Sequence, residues 1–142
     1  MKEVFSKSMA KGLYYGGSLF FVLVFLGLTF HTITLAVPTR DHRDKLTPAV
    51  AAGKLVWERN DCIGCHTIVG EGAYFAPELG NVYQRRGGDF IKAWIQAQPT
   101  HVTGRRQMPQ FNLTTEELDN LVEFLKWTSE INTEKWPPNI EG

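Results

Sequence analysis

The distribution of apolar and polar positions divides the chain into two unlike parts. No Lys, Arg, Asp or Glu occurs from Gly12 to Thr39, and the 25 residues Leu13–Val37 are predominantly apolar. A helix of that length rises about 37 Å, enough to cross a hydrocarbon core of about 30 Å with some tilt. A cleavable signal sequence is the alternative, but its apolar region has only about 7–15 residues. We therefore predict an uncleaved transmembrane helix over residues 13–37, preceded by a tail at residues 1–12.

Beyond residue 46 the pattern predicts helices separated by long loops. Thr47 and Pro48 are typical of the N-cap and the first position of a helix. The pattern carries this helix to about Asn60, and we expect Leu55 and Val56 to face the core.

The strongest helix signal lies near the end of the chain. Thr114 and Glu117 form a capping box, and a helix is predicted from there to about Glu130. Its apolar stripe recurs at i, i+3, i+4 and i+7 through Leu118, Leu121, Val122 and Leu125. A shorter helix is predicted between Asp89, its expected N-cap, and Pro99. We find no alternating strand of useful length, so the expected fold is all-α, with long loops that need something to wrap around.

Charge and size narrow the range of functions. Fifteen basic and fifteen acidic residues cancel, which argues against a nucleic-acid-binding protein, since those carry a basic surplus on one face. Residues 38–142 hold twelve basic and fourteen acidic groups, a difference too small to identify a partner by charge. We interpret the charged, proline-led residues 38–46 as a linker and residues 47–142 as one domain. So small a domain has little room for a multi-step catalytic site, which favours a module that serves a larger partner.

The two cysteines occur in the sequence Cys62-Ile63-Gly64-Cys65-His66, the C-x-x-C-H pattern of covalent c-type haem attachment. The spacing suits the chemistry, because two thiols reach the two vinyl groups of one porphyrin and the next imidazole reaches the iron from the same side. A zinc site is a poorer interpretation, because His66 adjoins Cys65 whereas zinc fingers use separated ligand pairs. A thioredoxin-like dithiol lacks its βαβ context, and a plain disulfide leaves His66 unexplained.

Met108 is the expected sixth ligand of the iron. Met1 and Met9 precede the apolar stretch, so Met108 is the only thioether in the domain, 42 residues after His66. The alternative is a methionine that fills a gap in the core, but this one lies between Gln and Pro in a loop and continues no helical stripe. His101 is the competing distal ligand. His/Met ligation raises the reduction potential and closes the iron, which favours electron transfer.

Further residues are expected around the haem. We expect the Pro77 carbonyl, eleven residues after His66, to accept the imidazole N–H, an interaction that orients and tunes a metal ligand; a loop-stiffening role is the alternative. Arginine side chains match the haem propionates, and the candidates are Arg105 and Arg106, beside Arg85 and Arg86. The aromatic residues expected in the haem wall or the core are Tyr74, Phe75, Trp94, Phe111 and Trp127.

Haem attachment also predicts the orientation in the membrane. Three basic residues precede the apolar stretch and three follow it closely, so the positive-inside comparison is undecided. In bacteria c-type haem is attached outside the cytoplasmic membrane. We therefore expect a periplasmic domain and a cytoplasmic N-terminal tail on the inner membrane.

Nearly the whole chain resembles the cytochrome c subunit of bacterial cytochrome-c-dependent nitric oxide reductase. The resemblance rests on FSKSMAKGLYYGGSLFF, GKLVWERNDCIGCHTIVGEGAYFAPELGNV, GRRQMPQF and LVEFLKWTSEINTEKWPPN. It implies a class I-like cytochrome c domain tethered by one transmembrane helix. It also implies that Cys62 and Cys65 anchor haem c and that His66 and Met108 ligate its iron.

The resemblance implies partners as well. A large polytopic subunit would carry haem b and a haem–non-haem-iron centre that couples two NO into N2O, and a soluble periplasmic cytochrome c or cupredoxin would supply electrons. The chain itself would hold no catalytic residue. The family has a calcium ion at the subunit interface, approached by the loop that matches Gly72 and Tyr74. Two rival functions stay open: a membrane-anchored cytochrome c serving a terminal oxidase, and an open-haem ligand sensor.

Overall fold

The computed structural model describes residues 5–100 and 107–136, and the chain divides into two compact units, Met1–Thr39 and Arg40–Gly142. The first unit is a single helix. Helix α1 spans Lys7–His31 and continues as a wider π-helical turn over Thr32–Ala36. It begins before the predicted apolar stretch because Ser6 caps it, its hydroxyl accepting the Met9 N–H at 3.2 Å.

Helix α1 has the properties of a membrane anchor. The helical stretch of 30 residues reaches a mean hydropathy of 2.2, and none of its side chains is buried. A helix with exposed apolar side chains on all its faces is unfavourable in water and favourable in lipid. The helix is therefore a candidate transmembrane segment.

The second unit is built on two helices, α2 (Pro48–Arg59) and α5 (Thr115–Glu130). The predicted helix starts are confirmed: the Thr47 hydroxyl accepts the Val50 N–H at 3.3 Å, and α5 carries a complete capping box. Where α2 and α5 meet, α2 has Gly53, and a Cβ there would lie 1.9 Å from the Asn120 carbonyl oxygen. The glycine thus lets the two backbones approach closely.

One prediction for α2 is wrong: Leu55 is 65% exposed, whereas Val56 is buried. Residues turn by about 100° along a helix, and the buried positions of α2 are Val50, Gly53, Val56 and Trp57. Leu55 lies nearly opposite the centre of that stripe, so it cannot face the core.

The core collects apolar side chains from α2, α5 and two shorter helices. Helix α3 spans Val82–Arg86 and helix α4 spans Gly88–Gln96. The buried apolar residues are Val50, Val56, Trp57, Val82, Ile91, Ile95, Leu118, Leu121, Val122, Phe124 and Leu125. The predicted stripe of α5 is therefore confirmed.

The sequence did not predict α3, and Asp89 is not the cap of α4. Gly87 occupies the N-cap position with φ of 77°, a left-handed conformation that glycine adopts readily. This turn ends α3 and starts α4 at once, so Asp89 lies inside the first turn of α4. Gly88 packs on α5, where a Cβ would lie 2.9 Å from Val122 Cγ1.

A two-residue hairpin, also unpredicted, interrupts the helices. Strand β1 (Thr67–Ile68) pairs antiparallel with β2 (Glu71–Gly72), with Thr67 opposite Gly72. Val69 and Gly70 form the turn, both with positive φ, 52° and 83°. Positive φ at both central residues is typical of tight hairpin turns.

Residues 40–46, predicted as part of a linker, belong to the second unit and pack within it. The Arg40 carbonyl accepts the Asn132 N–H at 2.9 Å, and the Trp127 indole N–H donates to the His42 carbonyl at 3.3 Å. Lys45 pairs with Glu130 at 3.1 Å. Residues 40–46 thus contact α5 and the residues that follow it.

Candidate haem site

The C-x-x-C-H segment follows directly on the end of α2. The Asn60 side chain caps that end by donating to the Val56 carbonyl at 2.8 Å, and Asp61 adopts a left-handed φ of 50°. A 3₁₀ turn over Cys62–Gly64 follows, and the His66 N–H donates to the Cys62 carbonyl at 2.9 Å. The turn and this hydrogen bond hold Cys62, Cys65 and His66 within one short hydrogen-bonded piece of chain.

The two cysteines are free thiols in different surroundings. Cys62 is half-buried and Cys65 is exposed. Burial raises the pKa of Cys62 to about 11. The structure holds both cysteines as free thiols and not as the plain disulfide that the sequence left open.

His66 is held by its ring nitrogen. Its Nδ1 lies 2.8 Å from the Pro77 carbonyl oxygen, the contact that the sequence predicted. Burial lowers the pKa of His66, while the Pro77 carbonyl and the charge of Glu78 oppose that shift. A neutral imidazole that donates through Nδ1 keeps its Nε2 lone pair for a metal.

A large apolar cavity lies beside this histidine. Its volume is about 560 Å³, within the usual range for small-molecule and cofactor sites. Helices α2, α3, α4 and α5 and the loops between them contribute to its wall. The lining residues are Trp57, Cys62, His66, Phe75, Ala76, Pro77, Leu79, Val82, Arg85, Arg86, Phe90, Ile91, Trp94, Ile95, Gln107, Met108, Leu121 and Leu125.

The residues around the cavity fit a haem group. Cys62, His66 and Met108 line the same space although Met108 is 42 positions beyond His66 in the chain. Imidazole and thioether are established axial ligands of haem iron, and the remaining wall is mostly aliphatic and aromatic. No group of three or more His, Cys, Asp or Glu side chains placed to hold a metal ion occurs within residues 5–100 and 107–136. The described part of the chain therefore does not support a zinc site.

The structure describes two of the four arginines that were considered as partners of the haem propionates. Arg85 and Arg86 both line the cavity. Arg85 Nε donates to Asn81 Oδ1 at 2.6 Å, and an Arg85 terminal nitrogen donates to the Glu78 carbonyl at 2.6 Å. The Arg86 guanidinium lies 5.5 Å from the centre of the Phe90 ring. Arg105, Arg106 and the competing ligand His101 lie outside the described residues.

The predicted aromatic wall is right for some residues and wrong for Tyr74. Phe75 and Trp94 line the cavity, Trp127 packs against the core, and Phe111 is half-buried without lining the cavity. Tyr74 is 81% exposed, and its hydroxyl donates to the Gly70 carbonyl at 3.4 Å. The next residues of the loop, Phe75 and Ala76, line the cavity, but Tyr74 itself lies on the surface.

Several residues of the cavity wall were not predicted from the sequence. Phe90, Ile91 and Ile95 come from α4, and Val82 comes from α3. Phe90, Ile91 and Ile95 occupy positions i, i+1 and i+5 of α4. That spacing places them on one face of the helix, and it could have indicated a shared apolar contact. Glu78 was also missed: it organises the loop after Pro77 by accepting two backbone N–H groups.

Comparison with known proteins agrees with this site. The cytochrome c family profile matches residues 50–129. A protein of Stutzerimonas stutzeri, named as the C subunit of nitric oxide reductase, is 58% identical, with both chains covered completely. Proteins with the same name from Paracoccus denitrificans and Cereibacter sphaeroides are 50% and 51% identical, again over the full length of both chains.

Proposed function

The chain belongs to the cytochrome c family, among the C subunits of nitric oxide reductase, and from this premise we propose that it brings electrons into a nitric-oxide-reducing complex. It takes them from a soluble periplasmic donor, a small cytochrome c or a cupredoxin. It delivers them to haem b of a large polytopic subunit, which reduces two NO to N2O. The chain is thus a non-catalytic electron-transfer subunit of an oxidoreductase complex.

The observation that supports this role most strongly is the meeting of Cys62, His66 and Met108 on one apolar cavity. Haem c, when bound there, supplies a reversible one-electron carrier. Cys62 and Cys65 would hold it through thioether bonds, and His66 and Met108 would occupy both axial positions. With both positions filled by the chain, none is left for a substrate, which favours electron transfer over catalysis.

The chain's own residues tune this carrier. The Pro77 carbonyl fixes the tautomer and the plane of His66 through the 2.8 Å contact at Nδ1. Trp57, Leu121 and Leu125, all buried, keep water from the inner wall of the cavity. A dry, low-dielectric surrounding disfavours the extra positive charge of oxidised iron and so raises the reduction potential, as His/Met ligation also does.

We propose arginine contacts to the haem propionates. Arg105 and Arg106 are the pair proposed from the sequence, and the positions of Arg85 and Arg86 on the cavity wall support a contribution from them as well. Planar guanidinium groups bind carboxylates through paired hydrogen bonds. Such contacts would neutralise the propionates and hold the group in one orientation.

The place of the chain in the cell is also part of the proposal. We propose a cytoplasmic tail at residues 1–12, a membrane span at residues 13–37, a linker at residues 38–46, and a periplasmic domain at residues 47–142. Attachment of c-type haem outside the cytoplasmic membrane supports this orientation, and the apolar surface of α1 supports the span.

A calcium ion near Gly72 and Tyr74 is a separate proposal, taken from the family resemblance. The exposed Tyr74 loop is accessible to a partner. Calcium takes backbone carbonyl as well as carboxylate oxygens, and we propose that the large subunit supplies part of the ligand set at this loop.

Purification of the full chain from membranes in mild detergent tests the proposed function. We expect a large subunit with haem b to accompany the chain, one haem c per chain, and NO reduction by the isolated complex. A single-haem protein that purifies alone and leaves NO reduction in the membrane intact would overturn the proposal. It would instead favour a cytochrome c that serves a terminal oxidase.

A further inference from the structure

Glu78 joins the two chain segments that carry His66 and its hydrogen-bond acceptor. Its Oε1 accepts the Val69 N–H at 2.9 Å and the Gly80 N–H at 2.7 Å. Val69 lies in the hairpin turn three residues after His66, and Glu78 itself directly follows Pro77. One carboxylate oxygen therefore ties the histidine segment to the segment that holds the histidine in place.

Backbone hydrogen bonds make this connection stiff. The Ala76 N–H donates to the Cys65 carbonyl, and the Leu79 N–H donates to the Thr67 carbonyl, each at 2.8 Å. The Glu78 carbonyl accepts Arg85 of α3 at 2.6 Å. Because Glu78 is held on both sides, a change in its side chain is passed to the Pro77 carbonyl next to it.

The two hydrogen bonds that Glu78 accepts do not require a charged side chain. A neutral glutamine could accept both N–H groups through its amide oxygen. Glu78 instead places a second carboxylate oxygen, Oε2, in a buried position with no hydrogen-bond partner among the described residues. The positive charge of Arg85 lies close enough to interact with this carboxylate, but burying a charged oxygen without a hydrogen bond still costs free energy. A carboxylate at this position therefore indicates a role beyond the shape of the loop.

We propose that Glu78 is a positioning residue for the electron-transfer site, which sets both the orientation of His66 and the reduction potential of the iron bound to it. The carboxylate holds the Pro77 carbonyl against His66 Nδ1, and its negative charge stabilises the more positive, oxidised iron. Both effects lower the potential, opposing the rise caused by the dry cavity and the thioether ligand. This inference rests on the proposed function, in which His66 ligates haem c.

Two substitutions separate the two effects. Glu78→Gln keeps an oxygen for the Val69 and Gly80 N–H groups but removes the charge, whereas Glu78→Ala removes both. Glu71→Gln and Glu71→Ala are the matched controls, because Glu71 is an exposed glutamate of strand β2, in the hairpin whose turn residue Val69 donates to Glu78. Each variant is made in the full chain, purified from membranes in mild detergent. The measurements are the midpoint potential of haem c and the electron paramagnetic resonance spectrum of its oxidised iron, which reports the orientation of the axial imidazole.

We expect Glu78→Gln to raise the midpoint potential with the spectrum of the parent. Glu78→Ala should raise it further and change the spectrum, while the Glu71 variants match the parent in both. The inference is overturned if the Glu78 variants keep the parent's potential, or if Glu71→Gln shifts it equally. Should Glu78→Ala not take up haem, Glu78→Gln against Glu71→Gln decides by the same criterion. A parent chain without haem c would contradict the proposed function instead, so the two failures are distinguishable.

Discussion

Met108 decides whether the iron is closed or open to external ligands. Met108→Ala removes the thioether and leaves the sixth position to water or to added ligands. We expect the reduced protein to bind CO and the midpoint potential to fall, because thioether ligation raises it. Optical spectra of the reduced protein with and without CO, together with a redox titration, measure both effects.

The control for this prediction is Met9→Ala in α1, which should change neither the spectrum nor the potential. If Met108→Ala has the parent's reduced spectrum and binds no CO, Met108 is not the ligand and His101 becomes the candidate. A parent chain that itself binds CO would favour the open-haem sensor.

Gly53 marks the closest approach of α2 and α5. A Cβ at this position would lie 1.9 Å from the Asn120 carbonyl oxygen and 2.7 Å from Phe124 Cβ, so Gly53→Ala must push the two helices apart. Overpacking of this kind typically costs about 1–3 kcal/mol. Thermal unfolding of the haem-loaded protein measures the loss. The exposed change Ala51→Ser on the same helix should cost less than about 0.7 kcal/mol, and equal losses would contradict the packing role of Gly53.

The burial or exposure of individual side chains was the hardest feature to predict from the sequence. Thr47, Pro48 and Thr114 were predicted correctly because caps depend on a few neighbouring residues. The exposure of Leu55 and Tyr74 depends on which elements pack around them. That information is spread over the whole fold, so apolar character alone gave the wrong result for both.

At the scale of single elements, the start of α5 gives a pH-dependent prediction. Glu117 accepts the Thr114 N–H at 2.8 Å and pairs with Arg59. The Thr114 N–H first, and Arg59 next, lower the pKa of Glu117 from its ordinary value of 4.5. A lowered pKa adds stability above the unfolded-state value, and that contribution is lost as the pH falls through the folded-state value.

Glu117→Gln should therefore be less stable than the parent at neutral pH, and the difference should shrink as the pH falls below about 4.5. Thermal unfolding between neutral and acid pH measures it. Glu116→Gln, an exposed change in the same turn, should give a smaller difference at neutral pH. If the difference in stability between Glu117→Gln and the parent stays constant through the acid range, the ionised carboxylate of Glu117 does not stabilise the start of α5.

Long helices could be predicted from the sequence, whereas very short helices and strands could not. Helices α1, α2 and α5 are long and have clear apolar patterns or caps, and their existence was predicted correctly. Helix α3 has five residues and each strand has two. Elements that short hold too few positions for a periodic pattern, and they form because the surrounding chain fixes them.

At the scale of the molecule, the cavity explains why so small a domain has such long loops. The loops after His66 and around Met108 supply the cavity wall together with α3 and α4. The positions of the C-x-x-C-H motif, Pro77 and Met108 beside one site could be predicted because each depends on local spacing or on being the single residue of its type. The contribution of Val82 from α3 could not, because that helix is too short for a periodic pattern and meets the rest of the wall only in the folded chain.

In the proposed mechanism, the electrons for NO reduction pass through this chain. NO reduction by the purified complex, with the soluble donor as the only electron source, distinguishes the parent from Cys62→Ala/Cys65→Ala, which cannot attach haem. We expect the double variant to assemble with the large subunit and to reduce NO when a small chemical reductant reaches haem b directly. We expect it to lose the NO reduction that is driven by the soluble donor. An undiminished rate with the soluble donor in a complex shown to lack haem c would contradict the proposed mechanism.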